Sequence, residues 1–229
     1  MKKTILITVV TSGLMLLASA PLARANSEEL TVTSGVTLSG TQISPGNWLF
    51  DNSVGSWSLD VTAATGAPAS GTFTVPNIDV DSSTINGSSV TAPLTIVFSQ
   101  TGYTPTLPAS FLAALTGINS GTASITYQTY FDTSDTLGAE TTLLTSITQS
   151  TDVSSPGFTE MSYGTLPVGG EPISLTEVIT IDPTSNPGNV TVSSLDANLS
   201  YVPDGGTTMM MLSGAFCAIG ALRRKLGSK

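Results

Sequence analysis

The sequence predicts an all-β fold, namely a β-sandwich of the immunoglobulin-like or jelly-roll-like kind. The 229-residue chain is rich in Thr, Ser, Val and Ile, and β-branched side chains suit a half-buried pleated surface. Apolar and polar residues alternate over short runs that are separated by Gly, Pro, Asn and Asp. No repeat of fixed period is evident, which disfavours a solenoid.

Short alternating runs define the predicted strands. Residues 57–61 alternate cleanly, and residues 94–98 are apolar on both faces, which indicates a central strand. Eight to ten strands of this kind favour a sandwich, with a jelly roll as the alternative. In chain order, the predicted strands cover residues 30–32, 36–38, 57–61, 72–75, 94–98, 123–131, 143–148, 173–181 and 190–201.

Two stretches depart from simple alternation. The last predicted strand keeps its period of two only after a slip at Ser193 and Ser194, and such a slip predicts a β-bulge. Residues 110–115 follow Pro108 and precede Gly117, and they predict one or two helical turns.

The two ends of the chain differ in composition from its middle. All seven basic residues lie before residue 25 or after residue 222, and all sixteen acidic residues lie between them. The amino end combines a basic start, an apolar run and the small residues Ala23 and Ala25. This pattern predicts a signal peptide over residues 1–25 that signal peptidase removes. An uncleaved anchor is the alternative.

The carboxyl end has three parts in a fixed order. A short motif at 202–206 contains a proline and two glycines, which break regular structure. Residues 207–222 are uncharged and would form a helix of roughly 24 Å, long enough to span a thinned bilayer. The basic tail 223–229 keeps its end of that helix cytoplasmic, so we expect residues 26–201 to form an exported domain. The residues that carry this prediction are Val202, Pro203, Asp204, Gly205 and Gly206 in the motif and Arg223, Arg224 and Lys225 in the tail.

This ending resembles the PEP-CTERM class of bacterial sorting signals, and most closely its VPDSG-type variant. The chain has Pro203-Asp204-Gly205 where the main class has Pro-Glu-Pro, and Gly205 stands where the variant usually has Ser. The resemblance implies processing by an exosortase, a membrane-embedded enzyme similar to cysteine transpeptidases. It also implies a precursor anchored in the inner membrane, and then delivery to the cell surface or extracellular matrix of a bacterium with extracellular polysaccharide.

The composition excludes several kinds of chemistry. The chain contains no His, so a Ser-His or Cys-His pair cannot be assembled. Its one cysteine, Cys217, lies in the predicted membrane helix, so the exported domain contains neither a disulfide nor a zinc site made of Cys or His. Nucleic acid is excluded as a partner because this acidic domain lacks the Lys and Arg that neutralise phosphates.

The acidic residues leave two hypotheses open. Asp79 and Asp81 would place alternate oxygens on one side of a turn, which suits calcium as a possible cofactor. Asp132 with Asp135 is similar. The alternative is that these residues form Asx turns at strand ends. Paired carboxylates also allow a hydrolase.

The aromatic residues could form a sugar-binding platform. Trp48 and Tyr103 lie next to Pro and Gly turns, so we expect their rings to be exposed and able to contact a sugar. Trp57 and Tyr127 lie within alternating strands, which predicts that they pack in the core.

These observations favour a non-catalytic protein of the cell surface or extracellular matrix, associated with exopolysaccharide or biofilm. The alternative is a carbohydrate-binding module that uses exposed aromatic residues with the help of calcium. A carboxylate-based hydrolase is the third hypothesis.

Overall fold

The computed structural model describes six stretches of the chain, and every regular element in them is a β-strand. No helix in these stretches is long and apolar enough to cross a membrane. The predicted signal peptide, the predicted strand 72–75, the membrane helix 207–222 and the basic tail lie outside the described residues. The described residues are 27–65, 76–104, 109–149, 157–166, 172–183 and 188–202.

Thirteen strands are present in the described part of the chain, which is more than the eight to ten predicted. Several of the added strands contain Asn, Asp, Gly or Ala, which are depleted in strands, so their local β signal is weak. The strands are β1 Glu28–Ser34, β2 Val36–Ser39, β3 Thr41–Ser44, β4 Asn47–Val54, β5 Trp57–Thr65, β6 Asn77–Val90, β7 Leu94–Tyr103, β8 Ala109–Asn119, β9 Ala123–Asp132, β10 Thr142–Gln149, β11 Gly157–Leu166, β12 Ile173–Pro183 and β13 Gly188–Val202.

The strands form two antiparallel sheets, as a sandwich requires. The six-stranded sheet has the order β10-β9-β12-β7-β1-β2, and the seven-stranded sheet has the order β11-β8-β13-β6-β5-β4-β3. From β6 onward the chain passes repeatedly from one sheet to the other. Neighbours in each sheet therefore come from distant parts of the sequence, as when β1 pairs with β7.

Alternate residues of both sheets point inward and form one hydrophobic core. In β5 the buried apolar positions are Trp57, Leu59, Val61 and Ala63. Burying a side chain such as that of Leu59 or Val61 contributes about 1.5–3 kcal/mol to stability. The core includes Trp57 and Tyr127, which confirms the prediction for both residues.

Strand β7 lies between β12 and β1, which confirms the prediction of a central strand. The connection between β9 and β10 lies over the outer face of its sheet. The Gly138 amide donates a hydrogen bond to Ser99 Oγ at 2.9 Å, and the Gly102 amide donates to Asp135 Oδ1 at 2.7 Å. This cover explains why strands at the centre of the six-stranded sheet are buried on both faces.

The predicted bulge in β13 is confirmed. Ser193 pairs with Ile118 and Asp196 pairs with Thr116, so three steps along β13 oppose two steps along β8. Ser194 adopts a positive φ of 51°. The extra residue turns Leu195 inward and keeps the apolar face of β13 continuous.

The helical turns predicted at 110–115 are wrong, because these residues belong to β8. This strand pairs with β11 on one side and with β13 on the other. Its alternate residues Phe111, Ala113 and Leu115 are fully buried. The local helix preference of Ala and Leu is therefore overridden by pairing with two strands that lie far away in the sequence.

Candidate functional site

Both ends of the described chain lie at the same end of the sandwich. Ser27 exchanges hydrogen bonds with Thr101, from its amide to Thr101 Oγ1 at 2.9 Å and from the Thr101 amide to its carbonyl at 3.0 Å. The Tyr201 amide donates to the Pro76 carbonyl at 3.0 Å. Thr65 connects the two termini. Its hydroxyl donates to Glu28 near the first described residue, and it pairs with Ile78 of β6, which is close to Pro76. We call this the terminal end.

The predicted sorting motif begins at the last residue of β13. Val202 pairs with Ser110 of β8 and is half-buried. Residues 203–206 and Arg223, Arg224 and Lys225 lie outside the described residues, as do Ala23 and Ala25 of the predicted cleavage site. The motif therefore follows directly on an inner strand of the seven-stranded sheet.

Three carboxylates meet on the outer face of that sheet. Asp79 and Asp81 lie near the start of β6, within the strand, so the prediction that they form a turn is wrong, but the predicted alternation does place them on one face. Asp196 of β13 pairs directly with Asp81. One oxygen from each of the three residues lies within 4.8 Å of the others.

The shared charge changes the titration of this cluster. Burial, followed by the charges of Asp81 and Asp196, raises the pKa of Asp79 to about 6, although the Asn198 side chain opposes the shift. Burial and Asp196 also raise the pKa of Asp81. A raised pKa means that the folded protein resists full ionisation of the cluster.

The cluster fits a hard cation only in part. Calcium takes six to eight oxygen ligands, and three carboxylates on an open sheet face supply a minority of them. The Asn198 side chain directs its Nδ2 toward Asp79, at 3.5 Å from Oδ1, and its Oδ1 accepts a bond from Ser200. Asn198 therefore adds a donor where calcium would need an acceptor. Protons shared among the three carboxyl groups are the other way to relieve the repulsion between their charges.

The substitution Asp79→Asn is expected to raise the free energy of unfolding by about 1 kcal/mol at pH 8. Asp79 is charged at that pH and repels two neighbours, and its partial exposure to solvent limits the gain. At pH 4.5 the wild-type side chain is already neutral, so we expect little change. Urea melts at both pH values test this. Asp182→Asn is the control, because Asp182 is exposed on β12 and lies opposite Ser124. If millimolar calcium stabilised the wild type by several kcal/mol and did not stabilise Asp79→Asn, the three carboxylates would instead be a cation-binding site.

The interior of the sandwich contains a second carboxyl group. Glu177 of β12 is 1% exposed, and Tyr127 donates a hydrogen bond to its Oε1. Its Oε2 has no hydrogen-bond partner among the described residues. Burial, more than any neighbour, raises the pKa of Glu177 well above its ordinary value. Burial therefore favours the protonated form of this carboxyl, which lies inside the core, where no solute can reach it.

The structure corrects the prediction for Tyr103 and limits that for Trp48. Tyr103 is fully buried, and its hydroxyl donates to Gln100 Oε1, so its ring cannot stack on a sugar. Trp48 is half-buried, and its Nε1 donates to Glu28 Oε2 at 3.1 Å. The turn before Trp48 lies against β1, where the Gly46 amide donates to Glu28 Oε2 at 3.1 Å. A Pro or Gly turn therefore did not indicate exposure here.

The alternative interpretation of Asp132 is the correct one. Its Oδ2 accepts a hydrogen bond from the Thr136 amide at 3.1 Å, and its Oδ1 accepts one from Thr141 Oγ1 at 3.0 Å. Burial alone would raise the pKa of Asp132, but these hydrogen bonds together hold it below its usual value. Asp132 stabilises the connection between β9 and β10.

A cleft of about 530 Å³ lies at the opposite end of the sandwich from the termini. Sequence reasoning missed this cleft because the turn after β4, the end of β6 and the start of β13 form it together. A smaller cavity of about 120 Å³ shares Gly55, Ser56 and Trp57 with it. The cleft is lined by Ser53, Gly55, Ser56, Trp57, Ser58, Asn86, Gly87, Ser88, Asn189, Val190 and Thr191.

The most exposed large aromatic side chain of the described residues is on an edge strand. Tyr163 of β11 is 71% exposed, and its neighbour on the same face, Met161, is 60% exposed. Tyr163 pairs with Leu112 of β8. This surface lies at the edge of the seven-stranded sheet, away from the cleft.

Comparison with known proteins identifies one segment of the chain. Residues 201–226 match the model of the VPDSG-CTERM motif. No curated protein matches the chain. The carboxyl-terminal segment is thus a VPDSG-CTERM sorting signal, the variant of the PEP-CTERM signal that the sequence resembles.

Solved structures show only distant similarity to this chain. The enzymatically active domain of tailspike protein 4 from bacteriophage CBA120 is 13% identical with a TM-score of 0.30, over 66% of this chain and 20% of that chain. The Stig cyclase Fisc from Fischerella sp. TAU is 11% identical with a TM-score of 0.35, over 69% and 86%. An isomalto-dextranase from Arthrobacter globiformis T6, complexed with panose, is 13% identical with a TM-score of 0.25, over 73% and 23%.

Proposed function

Because the chain ends in a VPDSG-CTERM sorting signal, we propose that it is a non-catalytic protein of the cell surface or extracellular matrix. Signal peptidase removes residues 1–25, the helix 207–222 holds the precursor in the inner membrane, and an exosortase processes the motif at 202–206. The match of residues 201–226 to the sorting signal is the observation that carries this proposal.

The fold supports processing of an already folded domain. The last strand, β13, is an inner strand that β6 and β8 hold on both sides. The motif begins at Val202, where this pairing ends. A cut within 203–206 would therefore leave every described strand in place, and the released domain would keep its full core.

The non-catalytic part of the proposal rests on the chemistry of the described carboxyl groups. Glu177 is sealed in the core, and Asp132 is held by hydrogen bonds from its own loop. Asp79, Asp81 and Asp196 lie together on one sheet face, with one oxygen of each within 4.8 Å of the others. A glycosidase needs two carboxyl groups on opposite sides of a bound sugar, one of them able to donate a proton. A hydrolase is accordingly the weakest of the three hypotheses.

We expect the processed domain to associate with extracellular polysaccharide. Its outer surfaces are rich in hydroxyl and amide groups, and the domain carries acidic residues without basic ones. Such a surface stays soluble among hydrated polymers and is repelled by anionic ones. Tyr103 is buried and cannot contact the sugar, and Trp48 exposes only part of its ring, so we place the main contact elsewhere on the domain.

Replacing Arg223, Arg224 and Lys225 together by alanine is expected to prevent normal processing, because the helix loses its cytoplasmic stop. The measurement is cell fractionation of the native host, followed by intact-mass analysis of the surface protein. In the wild type we expect a carboxyl terminus within residues 202–206. Lys229→Ala is the matched control and should be processed normally. An unchanged location and mass in the triple variant would contradict the proposal.

A further inference from the structure

We propose that the cleft between the turn after β4, the end of β6 and the start of β13 binds an uncharged glycan chain, and that it faces away from the membrane while the precursor is anchored. This inference rests on the proposed function and names the surface and the ligand class for its association with polysaccharide.

The position of the cleft follows from the path of β13. This strand has 15 residues, and at about 3.3 Å per residue it spans roughly 45 Å. Its last residue, Val202, lies at the terminal end, where the membrane helix follows a few residues later. Its first residues, Asn189 to Thr191, line the cleft. Anchoring at the terminal end therefore presents the cleft to the extracellular polymer.

The lining of the cleft selects a neutral and hydroxylated ligand. None of its eleven residues is charged, and seven of them carry a hydroxyl or amide side chain. Hydroxyl and amide groups both donate and accept hydrogen bonds, as sugar hydroxyls do. The acidic domain around the cleft disfavours an anionic polymer, and the cleft offers a cationic ligand no carboxylate.

Two hydrogen bonds orient the amide side chains before any ligand binds. Thr191 Oγ1 donates to Asn86 Oδ1 at 3.1 Å. The Ser89 amide donates to Asn189 Oδ1 at 3.1 Å. Because each Oδ1 accepts an internal bond, the Nδ2 groups of both asparagines are the donors left for the acceptor oxygens of a ligand. Side chains that are fixed in advance lose less entropy on binding.

The backbone at this end has an irregularity that shapes the cleft. Gly188 pairs with Val90 and Val190 pairs with Gly87, so β6 contains one residue more than β13 here. Ser89 carries the positive φ of 53°, which is uncommon for a residue with a side chain. A bulge of this kind bends a strand and is frequent beside binding sites.

The floor of the cleft is rigid because glycine permits close packing against a buried ring. A Cβ on Gly87 would lie 2.9 Å from Trp57 Cε3 and 2.7 Å from Val90 Cγ1. Trp57 is 1% exposed, and its Nε1 donates to the Ala92 carbonyl at 3.1 Å. The indole supports the floor from inside and does not stack on the ligand. We therefore expect weak binding to each sugar unit and stronger binding to a polymer with many copies of the unit.

The test uses the full chain in a zwitterionic detergent that contains no sugar. The probes are three immobilised neutral polysaccharides, namely dextran, a mannan and a β-glucan, with alginate as the anionic comparison. We expect retention on at least one neutral polymer and none on alginate.

Two variants should weaken retention by about tenfold or more, which is the size of effect that loss of a central contact produces. Asn86→Ala removes a donor, and Ser58→Arg fills the cleft from an exposed position without removing an internal hydrogen bond.

The control variant and the fold check separate the possible outcomes. Tyr163→Ala removes the exposed ring on β11 and should bind like the wild type. Each variant must melt within a few degrees of the wild type, and Ser58→Arg decides the question if Asn86→Ala does not fold. No retention on any neutral polymer would overturn the inference, and so would retention that survives Ser58→Arg or depends on Tyr163.

Asn86 and Asn189 also begin Asn-x-Ser/Thr sequences, so a sugar mass on either residue would overturn it as well. None of these results alters the fractionation experiment, which tests the sorting function independently.

Discussion

Replacing Glu28 with alanine is expected to lower the free energy of unfolding by about 3 kcal/mol, because one carboxylate holds five donors from both sheets. Its Oε2 accepts hydrogen bonds from Gln42 Nε2 at 3.0 Å and from the Gly46 amide and Trp48 Nε1 at 3.1 Å each. Its Oε1 accepts from Gln100 Nε2 at 3.0 Å and from Thr65 Oγ1 at 3.4 Å. Alanine would leave several of these donors unsatisfied at the terminal end.

Urea unfolding at pH 7 measures this effect, and the neighbouring residue provides the control. Glu29→Ala removes a carboxylate of the same size from the same strand, and we expect a change within about 0.5 kcal/mol. Glu28→Gln keeps the shape but places an amide nitrogen among donors, so it should also destabilise the protein. Equal stability of Glu28→Ala and Glu29→Ala would show that the five hydrogen bonds contribute nothing beyond solvation.

The elements that sequence reasoning predicted correctly are those whose signal is local. Clean alternation at 57–61 and the apolar run at 94–98 each lie within one strand, and the slip at Ser193 and Ser194 can be counted along β13. The sorting signal is also local, because its three parts follow one another in the chain. Each of these patterns results from a physical requirement that acts within one continuous segment of the chain.

The features that were missed depend on pairing between distant strands. Asp196 joins Asp79 and Asp81 only because β13 pairs with β6 in one register, and a shift by one residue would place it on the other face. Tyr103 is buried where β7 pairs with β12, a strand some seventy residues later in the chain, and Ile173 lies opposite it. The cleft likewise needs three segments that are brought together only by the complete fold.

One signal for a buried carboxyl group was present in the sequence. Within the predicted strand 173–181, Glu177 has the same parity as Leu175 and Ile179, and period-two alternation places all three on one face. The structure confirms this inward position. An acidic residue in an otherwise apolar register is thus a sign of a protonated core carboxyl.

The stability of the protein is expected to fall as the pH rises from about 5 to 8, and Glu177 is expected to be the main cause. Burial raises the pKa of Glu177 well above 4.5, and it also raises the pKa of Asp79 to about 6. A carboxyl whose pKa is higher in the folded state than in the unfolded state binds more protons when folded. Its contribution to stability is therefore complete at low pH and is lost as the pH rises through the ordinary carboxyl range toward the folded pKa.

Glu177→Gln separates the core carboxyl from the surface cluster. Glutamine matches a protonated glutamate in shape, so the variant should be within about 1 kcal/mol of the wild type at pH 5. Between pH 5 and 8 its stability should fall less than that of the wild type. The remaining slope should become smaller when Asp79→Asn is added, and burial and Asp196 still raise the pKa of Asp81 in the double variant. Urea melts of the wild type, the two single variants and the double variant at four pH values provide the measurement. A wild type that gains stability up to pH 8 would contradict a neutral Glu177, because an ionised carboxylate would then have to be stabilised inside the core.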